Sequence, residues 1–166
     1  MAPTRPFLLG ISCAAALNFC WVGTARARDG EQWIRGLFVG HSPPVQQIVG
    51  ADARQQAEAC AAQFPEAFVL AAAGESMKPL YSNGTILVCR RIAYAELERG
   101  MTILYRNQEH QVVAHLLVAR ARDGWRVAGL NNSRQDMEPV VADNLVGVVV
   151  AAFTPARLIV TNNRSR

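Results

Sequence analysis

The stretch "QVVAHLLVARARDGWRVAGLNNSRQD" spans residues 111–136. Two apolar runs, 111–119 and 124–129, flank Asp123-Gly124, a pair of turn residues. Both runs are too short for typical helices and read as strands. Side chains alternate along a strand, so His115 shares a face with Val113 and Leu117. A histidine on an apolar face needs a polar partner. The polar loop at 129–138 follows the second run and offers Asn131, Asn132 and Asp136. Asp136 can supply a negative charge, whereas the asparagines can only orient. Read alone, the loop is a polar turn and His115 a neutral buried ring bonded to a carbonyl.

Outward from this stretch the same kind of run recurs. "AFVLAAA" begins at Ala67, "TILVCRR" at Thr85, "MTILYR" at Met101 and "LVGVVVAAF" at Leu145. Asn83-Gly84, Gly100, Asn107-Gln108 and Asn131-Asn132 punctuate them. Six short strands with such turns predict a mainly β, antiparallel, partly closed fold. One helix precedes them. In "ADARQQAEACAAQF" (51–64), Ala53, Ala57, Cys60, Ala61 and Phe64 recur at helical spacing, and Asp52 can cap the start. "GLFVGHSPPVQQIVG" (36–50), with Pro43-Pro44, is expected to be irregular.

The 166 residues suit one domain, half apolar and 18% charged. The formal charge of +4 comes mainly from scattered arginines. It forms no dense basic stripe with interleaved aromatics, so nucleic acid is not an expected partner. Residues 7–23 carry no charge, follow an arginine, and lead into "TARAR", where Ala25 and Ala27 give a small-x-small pattern. That order is a signal peptide over residues 1–27, with export to the periplasm or beyond. An uncleaved membrane anchor over 7–23 is the alternative. The expected division is then an N-terminal segment with the helix (28–66), a β domain (67–155) and a C-terminal tail (156–166). Cys60 and Cys89 would remain after cleavage, as a disulfide or as two buried thiols. No metal spacing occurs, and no cofactor is expected.

"AAAGESMKPLYSNGT" (71–85) carries the chemistry. A serine hydroxyl is a weak nucleophile until a base takes its proton. The chain has one lysine, Lys78, two residues after Ser76 and just before Pro79, a position that points it to solvent. Of the histidines, His41 lies in the irregular segment and His110 beside a hairpin tip. His115 remains as the candidate base for Ser76, with Asp136 to orient it. The plain reading of Ser76 is a turn residue before a proline.

The order of these pieces resembles the catalytic domain of the S24/S26 serine peptidases, which include signal peptidases and self-cleaving repressors. "GESMKP", "NGTILV", "RGMTILYR", "VVAHLLV", "GWRVAGLNNSRQD" and "NLVGVVV" carry the likeness over about residues 68–153. Most bacterial members use a lysine base. The signal peptidases of the endoplasmic reticulum and archaea are similar but place a histidine there, and this chain looks like that branch. The resemblance implies Ser76 as nucleophile, His115 as base and Asp136 as orienting acid. It implies the backbone N–H of Ser76, with Gly74 nearby, at the oxyanion, and Asn131 and Asn132 as further orienting groups. Where the family has G-D-N-N this chain has Gly129-Leu130-Asn131-Asn132. Leu116 replaces an arginine, Thr85 and Met101 replace aspartates, and Gly74 lacks the family's hydroxyl.

The resulting expectation is an exported serine endopeptidase acting on extended polypeptides. One rival is a catalytically inactive module of the same fold that grips peptides or a partner protein. A self-cleaving repressor would need a DNA-binding helix-turn-helix before the catalytic part.

Overall fold

The computed structural model describes residues 32–49 and 52–156. The signal-peptide expectation, and all of the tail but Ala156, lie outside the described residues. Among those described, no helix is long and apolar enough to cross a membrane.

The fold is mainly β. β1 (Trp33–Ile34) and β2 (Leu37–Phe38) form a small hairpin. β3 (Val45–Ile48) and α1 (Ala53–Ala61) follow. Then come β4 (Ala67–Ala71), β5 (Ile86–Arg90), β6 (Thr102–Arg106), β7 (Val112–Ala121), β8 (Gly124–Ala128) and β9 (Leu145–Pro155). The sheet runs β4-β5-β9-β6-β7-β8, with β4 and β8 at its two ends. Long apolar β9 is the spine, antiparallel to β5 and to β6. Its side chains are buried on both faces, so its sequence shows no alternation.

α1 begins where expected. The Asp52 carboxylate accepts from the Arg54 N–H at 2.8 Å, satisfying one of the helix's orphan donors. Ala53, Ala57, Cys60 and Ala61 form its buried face. They pack on Val88, Ala151 and Phe153 of β5 and β9, where small side chains let the helix lie close to the sheet.

The segment expected to be irregular is partly ordered into the sheet. β3 pairs in parallel with the end of β9, Val45 opposite Ala152 and Ile48 opposite Pro155. Two side chains anchor the chain just before it. Ser42 Oγ donates to the Gly100 carbonyl at 2.8 Å and lies 2.7 Å from Thr102 Oγ1. Tyr81 OH donates to the Pro43 carbonyl at 2.7 Å. The pairing was hidden because β3 is only four residues long, half of them glutamine, and its partner lies about a hundred residues away.

Cys60 and Cys89 are both buried, in different core clusters. Cys60 faces Val88 from the helix, while Cys89, the next strand residue, points to the other side of the sheet. Burial pushes the Cys89 thiol up to about 12, which leaves it protonated and inert.

Candidate active site

Ser76 lies in the turn between β4 and β5. The base of this turn is closed by Ala72 N–H to Thr85 O and Gly84 N–H to Ala72 O, each 2.8 Å. Thr85 is buried, and its Oγ1 accepts from Ser82 N–H at 3.1 Å. Gly74 has φ of +87°, a backbone that L side chains rarely adopt, so glycine is the natural residue there. Lys78 is half exposed and ion-paired with Glu75.

The serine turn is fastened to the far end of β8. Asn131 N–H donates to the Ser76 carbonyl at 2.7 Å. Gly129 makes this approach possible, since a Cβ there would lie 2.9 Å from Ser76 O and 2.8 Å from the Asn132 side-chain nitrogen. β7 and β8 pair through Leu116 opposite Ala128, and Gly129 is one step beyond, level with His115. The nucleophile candidate is thus sewn to the strand end beside the base candidate.

His115 is buried on β7, opposite Ile103 of β6. Its Nδ1 lies 2.5 Å from Asp136 Oδ2. The side chains are 8% and 17% exposed, so little water competes for the bond. Asp136 belongs to the loop after β8, where its own N–H donates to Val127 O at 2.9 Å. Burial opposes ionisation of Asp136, but hydrogen bonds from His115 and Tyr105, with the attraction of an imidazolium, outweigh it. Its carboxyl is held below the usual carboxylate range. An ionised carboxylate only accepts hydrogen bonds, so His115 presents a proton on Nδ1, and in the neutral ring Nε2 is then the acceptor.

Tyr105 escaped the sequence reading. Its hydroxyl donates to the same Asp136 Oδ2, also at 2.5 Å. Burial, then the contact with Asp136, pushes the phenol well above its ordinary range. The available signal was alternation on β6, which puts Tyr105 on the face it shares with Ile103, the residue opposite His115.

The asparagines have other work. Asn131 Oδ1 accepts from Arg35 Nη1 at 2.7 Å, and the Asn132 side chain packs over Gly129. The hydrogen-bond partner of His115 is Asp136. Leu130 points into the core beside Met77 and Leu116, 1% exposed. It lies in the turn after β8, in a different core cluster from Tyr105, which bonds the carboxylate that meets the imidazole. His41 is paired with Glu98 at 3.1 Å, and His110 is exposed.

Two cavities border the site. One, of about 290 Å³, lies beside Ser76, with Leu70, Ala72, Met77, Leu104 and Ala114 in its wall. The other, of about 390 Å³, is lined by His115, Asp136, Tyr105 and Glu138. Val113 lines both. No hydrogen bond joins Ser76 Oγ to His115 among the described residues. Among these residues, no cluster of three or more histidine, cysteine or acidic side chains could hold a metal.

A mainly β domain with a serine turn fastened beside a histidine–carboxylate pair has the parts of a peptidase-type fold. The family model described as Peptidase S24-like matches residues 40–150, well over half of the chain. The chain belongs to that family. No curated protein and no solved structure matches it.

Proposed function

We propose that the chain is an exported serine endopeptidase of the histidine-base type, similar to the signal peptidases of the endoplasmic reticulum and archaea. The observation that carries this reading is the 2.5 Å bond from His115 on β7 to Asp136, beside the end of the neighbouring strand β8 to which the Ser76 turn is fastened. In the proposed reaction Ser76 Oγ attacks a peptide carbonyl and His115 Nε2 takes its proton. The imidazolium then protonates the leaving amine, giving an acyl-enzyme and a new N-terminus. Water next attacks the ester, giving its proton to His115, which returns it to Ser76. Asp136 holds the ring and steadies its charge, and the Ser76 N–H faces the oxyanion. In apo structures a nucleophile–base bond is often long and tightens with substrate.

Substrates are extended polypeptides docked along β4, whose outer edge is covered by no other strand among the described residues. The cavity beside Ser76 is walled, apart from Gln111, by small and apolar side chains, which suits a small apolar residue next to the cut bond. Export rests on residues 1–27 of the sequence.

The second reading is a peptide-binding module without turnover. It is favoured by the missing Ser76–His115 hydrogen bond and by the absent hydroxyl at Gly74. A fluorophosphonate probe, which phosphonylates an activated serine, separates the two. Wild-type protein should label at Ser76, and folded Ser76→Ala and His115→Ala should not. Wild-type labelling no higher than that of Ser76→Ala would leave the binding module standing.

A further inference from the structure

Tyr105 stands 3% exposed in the cluster formed with Ile103, Leu117 and Val127, and packing alone would justify an aromatic residue there. Packing does not account for where its hydroxyl goes. Asp136 is on a loop, where a lone carboxylate can swing between rotamers. Here one oxygen, Oδ2, accepts from two donors, Tyr105 OH and His115 Nδ1, each at 2.5 Å. The two rings stand 6.4 Å apart, tilted by 50°, so they converge on that oxygen from neighbouring strands. With the backbone N–H of Asp136 bonded to Val127 O, the residue is held at both its main chain and its side chain.

We propose that Tyr105 is a positioning residue for this site: its hydroxyl fixes Asp136 Oδ2 against His115 Nδ1 and takes up part of the carboxylate's charge. The inference rests on the serine-peptidase reading for its catalytic meaning, though not for the geometry. The phenol stays protonated at neutral pH, so it remains a donor. Sharing the charge makes Asp136 a weaker base, one that orients the imidazole without drawing its proton away. The other ionisable groups on this side are Glu109 and Glu138, which line the same cavity; Glu138 accepts from the Gln108 N–H at 2.9 Å.

The test compares the full chain with Tyr105→Phe, which keeps the ring, and with Tyr94→Phe as control. Tyr94 is a second strand-packing phenol, whose hydroxyl donates to Val140 O at 3.1 Å. Two quantities are read: the pH profile of Ser76 phosphonylation, and the imidazole proton and nitrogen resonances of His115. In Tyr105→Phe the labelling rate should fall on the order of tenfold, the loss of one hydrogen bond to a charged group. Its acid limb should move to higher pH, because a carboxylate relieved of one donor stabilises the imidazolium more. The Nδ1 proton resonance of His115 should shift, while Tyr94→Phe should change none of these. Wild-type limb and wild-type resonances in folded Tyr105→Phe would overturn the proposal. Should wild-type Ser76 prove unreactive, the peptidase reading fails by itself and the His115 resonances still decide the role of Tyr105. Should Tyr105→Phe not fold, a slowly exchanging phenolic proton present in wild type and lost in Asp136→Asn supports the bond, and its absence from wild type overturns it.

Discussion

Asp136 is the residue on which site and stability meet. Its lowered carboxyl stabilises the folded state wherever that group is ionised in the fold. The contribution is complete above the ordinary aspartate range and is lost as pH falls through the depressed folded value, so it fades below roughly pH 4. Urea titrations of wild type and Asp136→Asn should therefore differ at neutral pH, wild type being more stable, and converge in acid. A constant gap across pH would count against the ionised pair. In turnover the same substitution should cost up to about 10⁴, as loss of an orienting carboxylate does elsewhere. Leu130 teaches the converse. Placing an acid there with Leu130→Asp would bury an unpartnered carboxyl in the core beside Met77. We expect a loss on the order of 3–5 kcal/mol in the denaturant midpoint analysis and no gain in Ser76 labelling.

At the scale of elements, β4 to β9 were legible because most are short runs rich in Val, Ile and Leu ended by a turn residue, whereas β1 and β2, two residues each, were not. The helix was legible because its alanines recur with helical spacing behind an aspartate. The cap can be tested alone: Asp52→Ala should lower stability by about 1 kcal/mol and leave Ser76 labelling unchanged, since α1 packs on the β5–β9 face. β3 was not legible. Its side chains carry no clear alternation, and its strand character comes from backbone bonds to a distant partner. Tyr105 was missed for a related reason. Nothing in "MTILYR" marks its hydroxyl as different from any other phenol until the loop carrying Asp136 folds over it.

Across the whole molecule, β9 joins elements from both ends of the described chain, pairing with β3, β5 and β6. Amide hydrogen exchange should therefore show residues 45–48 protected together with 152–155, as one cooperative unit. Rapid exchange at 45–48 beside a protected β9 would mean that the N-terminal segment is only a leash. Period and turn chemistry were enough to predict a mainly β fold, because they are local properties; the chain order of serine turn, histidine strand and aspartate loop, with a lone lysine beside a proline and the family likeness, nominated Ser76, His115 and Asp136 as candidates. Which of Asn131, Asn132 and Asp136 meets the imidazole, that Cys89 turns away from the helix, and that Tyr105 shares the carboxylate were decided only by tertiary structure. Each depends on the face and the distance at which residues far apart in sequence are brought together, and side-chain identity alone does not encode that.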